Sequence, residues 1–176
     1  TIDAASSISA AAIVTISNAD YVSADKNGGG DVRNSGPSYL STRFKRNYAK
    51  KPAPFVGSPD TTDDAVYQDE LVAYLKARRP AASVIFSMDN EPELWSHTHA
   101  EIFSQPVTYA DLWRRNHDFA KATKQAWPSA EVLGFVSYGY AAGGMRAVEH
   151  LRLIAGELPI ADVRAQLSFF IASDFE

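Results

Sequence analysis

The 176-residue chain has no cysteine, which excludes disulfide cross-links, thiolate metal sites and a cysteine nucleophile. It has no apolar run approaching the about 20 residues that a membrane-crossing helix needs. Its first residues show no basic segment followed by an apolar one, so no signal peptide is read in them. Neither sign of charge is in large excess: 17 Lys and Arg against 21 Asp and Glu give a formal net charge of -4. That balance lacks the basic footprint of a nucleic-acid binder and suits a neutral polymer as partner. What the chain does have is apolar and aromatic content, 45% and 11% of residues, ample for a buried core.

The most informative stretch is residues 83–95, where an apolar β-like run, Val84-Ile85-Phe86-Ser87-Met88, stops at Asp89-Asn90-Glu91-Pro92-Glu93 and a tryptophan follows at 95. In parallel α/β proteins chemistry sits at the carboxyl ends of strands, and Glu91 is placed at such an end. Pro92 stops the strand, Asn90 is able to hydrogen-bond a sugar hydroxyl or the neighbouring acid, and Trp95 offers a flat apolar face for a pyranose ring. These residue types suit glycoside hydrolysis. The plainer reading of Asp89, Glu91 and Glu93 is a solvated strand-to-helix loop that caps the next segment.

Along the chain, residues 2–10 read as the tail of a helix and residues 11–17 as a buried strand. The loop over 18–36 is rich in Gly, Asn and Asp. Its Asp25-Lys26-Asn27-Gly28-Gly29-Gly30-Asp31 has oxygen ligands at calcium-loop spacing but lacks the later glutamate, which favours an ordered turn. Helices are predicted over 39–50 and over 64–76, the latter capped by Thr61, Thr62 and Asp63, ended by Arg78-Arg79-Pro80, and carrying a core stripe of Val66, Leu71, Val72 and Leu75. A strand over 84–88, a helix over 109–127 closed by Trp127-Pro128, and a strand over 131–137 follow. Strand, helix, strand, helix, strand predicts a parallel sheet with flanking helices. His97 and His99, two apart beside the acid loop, have the residue types of a metal site, but no third ligand is assigned, and a polar contact to sugar is the simpler role.

Four motifs occur in order: Tyr21-Val22-Ser23-Ala24-Asp25-Lys26-Asn27-Gly28, the run from Phe86 to Trp95, Thr108-Tyr109-Ala110-Asp111-Leu112, and Val136-Ser137-Tyr138-Gly139-Tyr140. Over about residues 13–140 the chain resembles glycoside hydrolase family 44. The resemblance implies retaining endo-acting β-1,4-glucanases and xyloglucanases on a (β/α)8 barrel, with β-glucan polysaccharide or oligosaccharide as partner, no cofactor and a secreted setting. It assigns Glu91 as general acid/base at the end of the fourth barrel strand. Asn90, Trp95, Tyr138 and Tyr140 are then the expected substrate contacts.

On this alignment the three strands are barrel strands three to five, so residues 1–140 form a βαβαβ part of a barrel. A whole (β/α)8 barrel takes about 250 residues, and the chain is expected to hold only a portion of one. The family's nucleophile, on strand seven, has no counterpart after Tyr140; Glu149, Glu157 and Glu176 do not align with it, and an inactive piece is one expectation. Residues 141–176 read as a helical extension outside the family match. An open three-stranded sheet leaves edges that invite self-association. Two readings compete with hydrolysis: a noncatalytic carbohydrate-binding or orphan α/β domain, and a metal-dependent hydrolase using Asp89, Glu91, His97 and His99.

Overall fold

A computed structural model describes residues 1–25, 28–55 and 58–137 of the chain. The elements, in order, are α1 (Ile2–Ser7), β1 (Ala12–Ile16), β2 (Tyr21–Ser23), α2 (Tyr39–Arg43), β3 (Phe44–Tyr48), β4 (Ala65–Tyr67), α3 (Gln68–Arg78), β5 (Val84–Met88), α4 (Trp95–Thr98), α5 (Tyr109–Ala126) and β6 (Glu131–Leu133). Expected segments 145–154 and 160–170, with the rest of 138–176, lie outside the described residues.

The main sheet has strand order β1-β5-β6, all parallel, with β5 in the centre. Ala12 pairs with Val84 and Ile16 with Met88 on one side, and Phe86 pairs with Val132 on the other. Side chains alternate across the pleat. Val84, Phe86 and Met88 therefore point with Ile16 into a core completed by Val72 of α3, Phe119 of α5, Trp127 and Ala130. Phe86 and Trp127 meet edge to face at 6.0 Å between centroids. Burying a side chain such as Phe86 is worth about 1.5–3 kcal/mol, so this face anchors the sheet. The opposite face carries Ile13, 66% exposed, and Leu133, 39% exposed. Among the described residues nothing closes the sheet into a barrel.

A second sheet, order β2-β3-β4, fills the excursion between β1 and α3. It corrects the helix expected over 39–50: α2 ends at Arg43 and the chain turns extended as β3, antiparallel to β2 and parallel to β4. Tertiary pairing overrides local helix preference here, because β3 gains a neighbour on each side and a buried anchor, Asn47. The Asn47 amide donates to Ser17 O and Ala19 O at 2.8 Å each and accepts from Gln68 Nε2 at 2.8 Å.

The helix expected over 64–76 begins later, with Gln68, because 65–67 pair as β4. Thr61, Thr62 and Asp63 consequently do not cap it. Its first-turn acids are used instead: Asp69 accepts from the Lys51 backbone N–H at 2.9 Å and Glu70 from Lys51 Nζ at 2.7 Å. Val66 lies in β4, whereas Leu71, Val72 and Leu75 remain core contacts. The strand expected over 131–137 shrinks to β6, followed by an isolated parallel bridge between Asn90 and Val136.

Candidate active-site edge

The acid loop is the carboxyl end of β5, where Asp89 (φ 71°) and Glu91 (φ 49°) both adopt the left-handed region although neither is glycine. Each such residue costs of order 1–3 kcal/mol and persists only where its surroundings fix it. Here the Val136 backbone brackets the loop: its N–H donates to Asp89 O at 3.2 Å, and Glu91 N–H donates to Val136 O at 2.6 Å. The three acids then part company. Asp89 Oδ2 accepts from Asn18 N–H at 2.6 Å and Oδ1 from Asn90 N–H at 2.8 Å. Glu93 Oε1 accepts from the Ser137 hydroxyl at 2.5 Å. Glu91, half-buried at the start of a 3₁₀ turn over Pro92–Leu94, makes no side-chain cap and keeps its carboxylate free of the loop's own hydrogen bonds.

Burial pushes the Asp89 carboxyl above the ordinary aspartate range, and the N–H donors of Asn18, Asn90 and Ala19, with the charge of His99, oppose that shift without cancelling it. Asn90 is exposed at the tip of the loop, open to a ligand. Asn90, Glu91 and Val136 thus share one edge; Tyr138 and Tyr140 lie outside the described residues.

Trp95 departs from expectation. The ring is 2% exposed and stacks on Phe103 at 4.5 Å and 19°, in a second core with Ala19. The Arg115 guanidinium lies 6.0 Å from the Trp95 ring centroid. After Pro92 the 3₁₀ turn and α4 rotate the ring inward, so it presents no face to a pyranose. His97 and His99 are exposed, and His97 lines an open groove of about 590 Å³ with Asp31, Arg33, Tyr39 and Glu101. Among the described residues no three His, Cys, Asp or Glu side chains converge on a point that could hold a metal.

In the loop with calcium-like spacing, Lys26 and Asn27 lie outside the described residues; Arg33 takes both carboxylate oxygens of Asp31, and Arg43 takes oxygens of Asp25 and Gly30. Its guanidinium donates to Asp25 Oδ2 at 2.5 Å, Ser35 Oγ at 2.6 Å and Gly30 O at 2.9 Å. Those oxygens are occupied by the Arg43 guanidinium.

Two residues that sequence reasoning passed over hold the edge together. Asn18, the first polar residue past Ser17 at the end of β1, is fully buried and donates from Nδ2 to Met88 O at 3.4 Å. Arg115 of α5 donates to Asn18 O at 3.0 Å, to Asp20 at 2.8 and 3.2 Å, and to Asp111 at 2.8 Å. The sequence signal for Arg115 was its i,i+4 spacing from Asp111 on α5. Its reach to residues 18 and 20 has no local signature.

Comparison with known proteins gives a consistent answer. The profile of glycoside hydrolase family 44 matches residues 2–157, running on past the last motif at Tyr140. The chain is 40% identical over 135 residues to "Endoglucanase A" of Paenibacillus lautus and 38% identical over 132 residues to "Beta-mannanase/endoglucanase A" of Caldicellulosiruptor saccharolyticus. These alignments cover 74% and 72% of the chain but only 19% and 10% of those relatives. A Paenibacillus polymyxa xyloglucanase of the family, solved with xyloglucan, superposes with a TM-score of 0.71 at 36% identity, over 80% of this chain and 28% of that one. A family 44 endoglucanase from Clostridium thermocellum superposes over the same shares, with a TM-score of 0.71 at 39% identity.

Proposed function

Since the chain belongs to glycoside hydrolase family 44, we propose that it is the part of a β-1,4-glucan hydrolase that carries the general acid/base, Glu91. The observation that carries this reading is the division of labour among the three loop acids. Asp89 and Glu93 are tied to protein donors, and Glu91 alone stands at the carboxyl edge of the central strand with its carboxylate uncommitted within the loop. The three parallel strands are read as strands three to five of a (β/α)8 barrel, and cellulose-type glucan or xyloglucan as the polymer, in keeping with what the relatives are named for. A secreted setting goes with a polymer of that size.

In a retaining mechanism Glu91 first protonates the glycosidic oxygen as it leaves, and later takes a proton from the water that releases the sugar. A second carboxylate about 5–5.5 Å away attacks the anomeric carbon. Asp89 is unsuited to that task, because both its oxygens already face backbone N–H groups. Asn90 holds a hydroxyl of the bound sugar, and Tyr138 and Tyr140, from the neighbouring strand end, complete the contact. Because none of the three loop acids fills the nucleophile's role among the described residues, the chain by itself is expected to turn over polysaccharide slowly or not at all.

The test is hydrolysis of xyloglucan and carboxymethylcellulose by the purified chain beside Glu91→Gln, with an activated aryl glycoside in parallel. Any polysaccharide turnover that the chain shows should vanish in the variant, and any turnover of the aryl glycoside, whose leaving group needs no proton, should fall less. Polysaccharide turnover that survives Glu91→Gln would remove Glu91 from the mechanism.

A further inference from the structure

We propose that Asp89 is the positioning residue for Glu91: its carboxylate pins the acid loop to the end of β1 and thereby sets where the Glu91 carboxyl stands. The geometry stands by itself, and its chemical consequence rests on the reading of Glu91 as the acid.

The need for a pin comes from the backbone. Two left-handed non-glycine residues flank Asn90, and Pro92 biases the residue before it toward extended backbone, which Glu91 does not adopt. A loop so placed relaxes unless something outside it holds it. Among the described residues the outside contacts are few, and Ser137 holds Glu93 beyond the strained pair. Val136 holds Asp89 O and Glu91 N from the β6 side, and Leu94 N–H closes the following turn on Glu91 O at 2.9 Å. From the β1 side the hold is side-chain made: Asp89 Oδ2 takes Asn18 N–H at 2.6 Å, while Oδ1 takes Asn90 N–H at 2.8 Å. One carboxylate thus spans two segments 71 residues apart in sequence and fixes the residue immediately before Glu91.

The donor on β1 is itself rigid. The flanking carbonyls, Ser17 O and Ala19 O, are held by Asn47, and Asn18 O is held by Arg115. The Asn18 N–H therefore points at Asp89 from a frame built by α5 and the small sheet. A neutral amide at position 89 offers one acceptor where two are used, and alanine offers none. Placement matters because a general acid must lie within hydrogen-bond reach of the leaving oxygen, and an error of about 1 Å costs on the order of 10²-fold in rate.

The experiment compares the full 176-residue chain with Asp89→Ala, Asp89→Asn and Glu91→Gln, using amide hydrogen exchange and the side-chain carboxyl carbon resonance of Glu91 in labelled protein. In Asp89→Ala, exchange at Asn18, Asn90 and Glu91 should speed up by about tenfold or more, as expected for loss of a hydrogen bond to a charged group. The Glu91 carboxyl resonance should move, and Phe86 and Phe119 amides should keep their protection. Asp89→Asn should fall between, and Glu91→Gln should leave Asn18 and Asn90 as they are. Unchanged loop exchange with an unmoved Glu91 resonance in Asp89→Ala overturns the proposal. So does a uniform loss of protection through the core in both Asp89 variants, which would make Asp89 a general stability residue. If instead the loop responds as stated but whatever polysaccharide turnover the chain shows survives Glu91→Gln, the pin stands and the acid/base reading falls.

Discussion

Asp89, Glu91 and Glu93 read alike in sequence and have three different fates in the fold, decided by which donors lie opposite each. For Asp89 the consequence is a pH dependence with a definite sign. Its folded-state pKa is raised, so below the ordinary aspartate value, about 3.9, the folded and unfolded states are both protonated and burial carries no charge penalty. As pH rises through the raised value the buried carboxyl must ionise, and that part of the stability is lost. Wild type minus Asp89→Asn stability, from urea titrations, should therefore decline from pH 4 upward; Asp3, Asp31 and Asp60, whose pKa values are lowered, are present in both proteins and cancel. A difference that grows with pH would mean that the N–H donors outweigh burial. Trp95 gives a second residue-scale prediction. As a core ring stacked on Phe103, its change to Ala should cost about 3–5 kcal/mol, whereas a solvent-facing sugar platform would cost almost nothing. The acid loop was legible in sequence because an apolar run ending at Asn-Glu-Pro is a local pattern. The burial of Trp95 was not, since its covering residue, Phe103, is drawn over it by a turn whose direction no periodicity encodes.

At the scale of elements, β1, β5 and α5 are strongly patterned, and each was readable to within a residue or two. The segments that escaped, β3 and β4, are short and find their partners across the chain. Asn47 and Lys51 reward the extended form through contacts with residues 17, 19, 68, 69 and 70. Arg115 shows the same principle on a helix that was recognised: its Asp111 pair is local, and its bonds to Asn18 O and Asp20 join α5 to the exit from β1. Arg115→Ala should destabilise by about 2 kcal/mol or more by chemical denaturation. That is less than the roughly 3–5 kcal/mol of a wholly buried pair, because the Asp20 side chain is 42% exposed. Arg115→Lys should recover little, since a single ammonium cannot serve three separated acceptors in fixed directions. Full recovery by lysine would make charge alone the link.

For the molecule as a whole, one face of the main sheet is a packed core and the other leaves Ile13 and Leu133 in solvent between strands β1 and β6, whose outer edges are unpaired among the described residues. The chain spans 28% of the solved family members it superposes on. Apolar side chains on a bare sheet with open edges favour association. Sedimentation should show concentration-dependent self-association that Ile13→Lys weakens; a strict monomer at all concentrations would mean that this face is covered. Whether a glucan binds at the carboxyl edge carrying Glu91 is decided by titrating a xyloglucan oligosaccharide into the isotope-labelled chain. The largest amide shifts should fall on Asn90 and Glu91 while the Trp95 indole signal stays still, and Asn90→Ala should weaken the binding curve. Shifts confined to other surfaces, with the Asn90 and Glu91 amides unmoved at saturation, would contradict binding at that edge.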